Sequence, residues 1–429
     1  MTDSGPKIPK PAAPFHWAWI ILVLCFVNLF INYGIRLGYG VALPEMIKAM
    51  GLSRKQGGDI FNSYLFSYIL VSPLIGYLTD RLGARRVISL FGISLGLGSV
   101  LMGSASRFGQ ACLFFALVGI GASAMWVPTL TVAQRWFTLR KRGMALGILS
   151  TGSGLGLAVM GSVFPVIVEH WNWRYCWYFL GIAALSMVFV NAFFLRSKPE
   201  DMKLRPWGDE FNSEPAFQAP GETEKPKGRY REILTTSRFW KIGLSYTFIA
   251  GSLYAVTTYM VDYARYNLGF SYEKASFLAT VHGVGQVFGV LAILPLSDIF
   301  GRRRTIIFSN LILSATIGSI ILSGTHEAWL LASVTLFGAF FGATFPIYGA
   351  CAGDYFRKDI LGTVVGAWTP FYGLGIIGSN RLAGYLRDGT GSFGVPFVIM
   401  ILSALVASVL MFSVRYHPNG KGPLKKSQG

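Results

Sequence analysis

Residues 76–92 read GYLTDRLGARRVISLFG, and residues 294–310 read LPLSDIFGRRRTIIFSN. The two stretches align with Asp80 opposite Asp298, an offset of 218. A second pair keeps almost the same register. RWFTLRKRGMALGILSTGSGLG (135–156) aligns with DYFRKDILGTVVGAWTPFYGLG (354–375), which sets Phe137 opposite Phe356 and Gly143 opposite Gly362 at an offset of 219. Unrelated segment pairs held in one register imply a duplicated unit, and parallel repeats of this kind typify secondary transporters.

Composition says what was duplicated. Hydrophobic residues make up 52% of the 429 and charged residues only 14%, against roughly 25% charged in a soluble domain. Apolar runs long enough to cross about 30 Å of hydrocarbon recur from Trp17 to Phe412. Twelve spans are expected, at roughly 18–42, 58–78, 87–105, 110–134, 144–168, 174–195, 240–262, 275–296, 305–323, 328–350, 361–385 and 393–414. The first is too long for a cleavable signal, and no small-residue cleavage site follows it. The fold class is therefore an all-α membrane protein of two six-helix bundles. The expected division is an N-tail (1–17), a first bundle (18–195), a central loop (196–239), a second bundle (240–414) and a C-tail (415–429).

The net charge of +18 has a topological origin. Of 38 Lys and Arg residues, 28 fall in segments on the side of the termini, 8 on the other side and 2 within spans. That asymmetry is the positive-inside pattern and sets both termini in the cytoplasm, with the plasma (inner) membrane as the expected location. It leaves no reason to invoke nucleic acid. The four cysteines stand singly, without zinc or disulfide spacing. No P-loop lysine motif and no nucleophile–base arrangement occurs, so a cofactor-free transporter is expected rather than an enzyme. Gly147, Gly152, Gly154 and Gly156 lie in an apolar span, where small residues serve helix packing and gating rather than phosphate binding.

Gly76, Leu78, Asp80, Arg81, Gly83, Arg85 and Arg86 spell G-x-L-x-D-R-x-G-x-R-R between spans 2 and 3. This resembles the signature loop of the major facilitator superfamily, with a degenerate copy from Asp298 to Arg304. The resemblance implies two bundles rocking about a midplane site, and a monomer. A carboxylate beside arginines at helix ends can form a charge-assisted latch, so Asp80, Arg81, Arg85, Asp298 and Arg302 are expected to gate. Simple charge anchoring is the competing account, above all for Arg86 and Arg302–Arg304.

Arg36 is the outlier of the first span. Asn28, Asn32 and Arg36 are spaced i, i+4, i+8 with Tyr33 alongside, a polar stripe on an apolar helix. An intramembrane arginine is a functional-site hypothesis by default, and its planar fork fits a carboxylate. The other reading is snorkelling to the outer interface, but LGYGVALPEM continues the apolar run beyond it. Arg381, deep in span 11, suits snorkelling or pairing with Asp388 better than ligand contact.

Tyr33, Arg36, Ala42 and Pro44 are also similar to the first span of the anion:cation symporters of organic acids. Ile35 replaces that branch's acidic residue, and span 4 offers Ala122 and Ser123 where it keeps a glutamate. A second resemblance is to the oxalate/formate antiporter and monocarboxylate transporter branch, through YREILTTSRFW (230–240), GTVVGAWTPFYGLG (362–375) and AGYLRDGTGSF (383–393). Its span-8 arginine is missing, and His282 and Gln286 stand there four residues apart. Both resemblances imply a small organic anion, mono- or dicarboxylate, with a co-transported proton or an exchanged anion. His282 is either a proton-accepting or hydrogen-bonding partner of that anion, or a histidine bonded to a neighbouring helix. Tyr64, Tyr68, Trp126, Tyr254, Trp368 and Tyr372 are candidates to close the cavity, each with packing as its alternative. Efflux of amphipathic drugs, carriage of a sugar-like solute, and a non-transporting receptor or assembly factor on the same fold are the other functional readings.

Overall fold

The computed structural model describes residues 16–208, 234–356 and 361–414. Most of the expected N-tail, the middle of the central loop and the whole C-tail lie outside the described residues. The first half contains α1 (Trp17–Met50), α2 (Arg54–Leu82), α3 (Ala84–Ser104), α4 (Phe108–Ala122), α5 (Val127–Trp136), α6 (Leu139–His170) and α7 (Trp173–Phe194). A 3₁₀ turn, Pro199–Met202, follows. The second half contains α8 (Ser237–Tyr266), α9 (Tyr272–Phe300), α10 (Arg302–Ser323), α11 (Glu327–Tyr355), α12 (Leu361–Thr390) and α13 (Gly394–Phe412). With α4 and α5 taken as one crossing, the chain crosses twelve times.

The fourth crossing departs from the continuous helix expected over 110–134. Ser123–Trp126 leave the helix between α4 and α5. Pro128 occupies the first turn of α5 and has no N–H to offer upstream. Pro is favoured at a helix start for the same reason, so the helix restarts there instead of running through. Upstream, Ser123, Ala124 and Met125 turn their N–H groups back onto Gly119, Gly121 and Ala122.

The duplication is visible in packing. Within the first half α3 lies on α7, α1 on α6, and α4 on both α2 and α3. Within the second, α10 lies on α13, α8 on α12, and α11 on both α9 and α10. Gly83 and Gly301, 218 apart, both take positive φ (83° and 87°) where α2 turns into α3 and α9 into α10. Those backbone angles favour glycine. Arg85 donates to the Ala192 carbonyl at the end of α7, and Arg303 donates to the Phe412 carbonyl at the end of α13 (2.5 Å). Each half thus closes its last helix with the same arginine of the repeat, a favourable place for a cation at a C-terminus.

The halves meet through α6 on α9, α2 on α12 and α1 on α8. On the face opposite the termini this seam is closed. Arg54 Nε pairs with Asp262 Oδ2 at 3.2 Å, and Asp388 accepts from the N–H groups of Arg54 and Lys55 at 2.9 Å each. Arg265 pairs with Glu45, and Arg381 with Asp59 at 3.3 Å. Arg381 therefore does not pair with Asp388. It bridges the halves, because Asp388 is already used to cap the start of α2. Asp262 is fully buried, with one oxygen on Arg54 and the other unpartnered.

Glycines let the backbones approach there. A Cβ at Gly58 would meet Tyr259 Oη at 2.5 Å, and one at Gly384 the Arg54 carbonyl at 2.6 Å. Near the termini the reverse holds, since a Cβ at Gly147, Gly349 or Gly366 would meet nothing within 4 Å. Gly147 therefore does not serve packing, whereas Gly154 does: a Cβ on it would meet the Gly283 carbonyl at 2.5 Å.

Overpacking of this kind costs typically about 1–3 kcal/mol. Gly58→Leu should therefore open the closed seam. In a background without the native cysteines, a cysteine at Thr258 (3% exposed) should react with maleimide roughly tenfold faster in that variant. Equal rates would show that the seam is not held by backbone approach.

Candidate functional site

Between the halves lies a cavity of about 740 Å³, a size typical of small-molecule sites. It is lined from Tyr33 and Arg36 near mid-chain of α1 to Ser72 and Pro73 of α2, Gly349 of α11, and Thr363 and Gly366 of α12. The last five lie toward the terminus-bearing ends of their helices, so the cavity opens on that face and is closed on the other.

Arg36 stands at its head, 5% exposed. Its guanidinium carbon lies 5.0 Å from the ring centroid of Tyr254 and 5.7–5.8 Å from those of Tyr64, Tyr68 and Tyr372. One Nη donates to Tyr372 Oη at 3.0 Å, and Nε has no partner. Among the described residues no carboxylate pairs with it, and it is the single charged side chain of the lining. The ring faces offset part of the cost of burying a cation. They leave its charge uncancelled. Arg36 thus does not snorkel to the outer interface; it turns into the cavity.

The polar stripe divides. Asn28 and Asn191 of α7 exchange two amide hydrogen bonds, 2.9 and 2.8 Å, so Asn28 serves helix packing. Asn32, one turn below Arg36, is buried with its carbonyl oxygen unpartnered. Tyr33, Tyr68, Trp126, Tyr254, Gln286, Trp368 and Tyr372 join Arg36 in the lining. Gln286 is 1% exposed with neither amide atom partnered. Tyr64 lies behind the lining, its hydroxyl unpartnered. Trp368 is anchored by its indole N–H on the Phe239 carbonyl at 3.1 Å.

His282 is fully buried but does not line the cavity. Its ring stands edge-on to Phe337 and Phe341, at 5.3 and 5.1 Å, and neither nitrogen has a partner. The bond to a neighbouring helix weighed for it is not made. Ile35, where one resembling branch keeps its acid, is a fully buried core residue.

Sequence reasoning missed Tyr246, Phe341, Phe345 and Tyr348, which also line the cavity. Helical spacing held the signal, since Tyr246 and Tyr254 are eight apart and Phe341, Phe345 and Tyr348 fall at i, i+4, i+7. Ser123 and Trp126 reach the cavity through the break in the fourth crossing.

The expected gating residues behave differently in the two halves. Arg302 bridges Asp298 and Asp354, 3.0 Å each, on the terminus-bearing side of the second half. In the first half Asp80 is exposed and forms no ion pair among the described residues. Arg81 donates to Tyr77 Oη at 2.7 Å, and Arg85 is engaged on α7. In this conformation the first-half latch is not made.

Residues 24–273 and 242–428 match the Major Facilitator Superfamily. The chain belongs to that superfamily. It is an integral membrane protein with the superfamily's twelve-helix fold. A bacterial homologue of the human lysosomal transporter Spinster, in an inward-facing, unoccupied conformation, superposes with a TM-score of 0.68 at 17% identity, over 93% of this chain and 96% of that one. A probable sulfoacetate transporter of Cupriavidus necator is 26% identical over 93% of both chains. A probable hexose phosphate transport protein of Chlamydia pneumoniae is 23% identical over 96% of this chain and 94% of its own. A monocarboxylate transporter of Danio rerio is 23% identical over 93% of this chain and 87% of its own. Superfamily members that move organic anions are thus among its relatives.

Tyr372→Phe removes the hydroxyl that Arg36 uses. Leaving that buried N–H unpaired should cost about 1–3 kcal/mol, read as a lower Tm of the ligand-free protein. An unchanged Tm would show that this hydrogen bond contributes nothing to the empty site.

Proposed function

We propose that this chain carries a small organic anion by alternating access, with Arg36 as the anchor of the anion. The supporting observation is a guanidinium buried at the head of a cavity without a counter-ion. A buried charge is normally paired, and removing one partner of such a pair is strongly destabilising. A carboxylate, sulfonate or phosphate entering from the open face completes the pair. Its oxygens can take the unpartnered Nε and the remaining guanidinium N–H groups in bidentate fashion. Gln286 and the tyrosine hydroxyls of the lining supply further polar atoms around the bound group, whereas Asn32 is buried outside the lining.

The same reading gives roles to the two faces. Arg54–Asp262 and Arg381–Asp59 hold the far side shut while the cavity is open on the terminus-bearing side. Rocking about α2–α12 and α6–α9 then exchanges access, with Asp80, Arg81, Arg85, Asp298 and Arg302 as the switch residues near the termini. The charge asymmetry of the loops supports the reading that this side is the cytoplasmic one of a plasma-membrane protein. A sugar phosphate is the second reading, supported by the relative from Chlamydia pneumoniae and by a cavity large enough for a hexose.

Counterflow in proteoliposomes with a panel of labelled mono- and dicarboxylates tests the anchor. Truncating one side of a desolvated charge pair costs about 2–5 kcal/mol. Arg36→Gln should therefore lower apparent affinity by at least about thirtyfold. Arg36→Lys, a single point charge, should fall between the two. Counterflow of Arg36→Gln equal to that of the wild type would remove the central claim.

A further inference from the structure

The cavity holds one charge and an unusual amount of ring surface. Arg36 is the single ionised side chain of the lining, and no Asp, Glu or Lys stands there among the described residues. Below it runs a chain of rings that passes from one half to the other. Tyr33 meets Trp126 at 6.2 Å, and Trp126 of the first half meets Phe345 of the second at 6.2 Å and 90°. Phe345 meets Tyr372 at 5.4 Å, and Tyr372 meets Tyr254 at 5.7 Å and 90°. Edge-on neighbours leave ring faces and edges free for another ring, the arrangement aromatic pairs prefer.

We infer, resting on the proposed function, that the carried solute is a monovalent carboxylate on a flat aromatic body, and that dianions are turned away. Two physical arguments lead there. The first is charge matching. Passage requires an occluded state with water largely excluded, and one guanidinium can cancel one negative charge. A second carboxylate on the solute would be buried among rings and serine hydroxyls with no cation to meet it, which is costly in a low-dielectric site. The second is area. A ring laid against the wall of Trp126, Phe345 and Tyr372 removes apolar surface from water on both partners, whereas a two-carbon carboxylate engages Arg36 and leaves the rings unused. The position of Trp126 follows from the break in the fourth crossing, so that break helps set the specificity.

Four probes separate the terms in a proteoliposome exchange assay with labelled benzoate: unlabelled benzoate, acetate, phthalate and benzyl alcohol. Benzoate carries charge and ring, acetate charge alone, phthalate a ring with two charges, and benzyl alcohol a ring alone. Benzoate should be exchanged, in an Arg36-dependent manner. It should compete at least about tenfold better than acetate or benzyl alcohol, and about a hundredfold better than phthalate. Ser153→Lys, or Ser150→Lys if the first fails to fold, adds a second cation to the lining and should raise phthalate relative to benzoate by about tenfold or more. Phthalate or acetate matching benzoate in the wild type, while Arg36→Gln abolishes exchange, would overturn this inference and leave Arg36 as an anion anchor. Absence of Arg36-dependent benzoate exchange would overturn it as well. Carriage of other anions would then decide the broader reading separately.

Discussion

A positive charge held in a membrane protein without a negative one beside it is the constraint on which the rest of this molecule turns. Arg36 is kept by four tyrosine rings and one hydroxyl, partners that stabilise a cation without neutralising it. A carboxylate in their place would have filled the site permanently. Those four rings come from α2, α8 and α12, so both halves must be assembled before the charge is supported. The cavity, its aromatic walls and its polar atoms without partners all follow from arranging helices around that one side chain.

The two ends of the seam between the halves are built from different materials. On the closed face, backbone meets backbone through glycine, and charged side chains cross from one half to the other. On the open face, Gly147, Gly349 and Gly366 look into empty space. A carrier needs both conditions to be available on each face in turn. Near the termini the repeat is asymmetric within its halves: Asp80 forms no ion pair among the described residues, whereas Arg302 holds Asp298 and Asp354 of its own half.

The register of 218–219 residues made the fold legible, since it aligned Gly83 with Gly301 and Phe137 with Phe356 before any helix was placed. The lengths of the apolar runs carry the helix count, and an arginine inside the first of them marks a residue that lines the cavity. Other features were hidden for physical reasons. Asn28 and Asn32 look alike in sequence, yet only the packing of α7 decides that Asn28 is consumed by Asn191. The sequence around Arg381 offers snorkelling or the nearby Asp388, while its partner, Asp59, comes from the other half. His282 and Gln286 share a face, but one helical turn carries His282 out of the cavity and between two phenylalanines. Tyr246 and Phe345 share helical spacing with other lining residues, but that spacing serves packing equally well until a charge is placed near it.

Two of the twelve crossings are too polar to enter hydrocarbon readily by themselves. Among the described residues, ten crossings have the length and apolar character of independent spans, and α8 and α12 do not. Both are 30 residues long, yet α8 carries Asp262 and Arg265, and α12 carries Asn380, Arg381, Arg387 and Asp388. Asp262, Arg381 and Asp388 find partners on α2, and Arg265 finds Glu45 on α1, while the Asn380 amide has none. The partners of its two charges, Arg54 of α2 and Glu45 of α1, are synthesised before α8, and Arg381 and Asp388 of α12 emerge later to meet an α2 already in place. The helices that build the second half of the site are thus the ones whose insertion depends on the rest of the protein already being there.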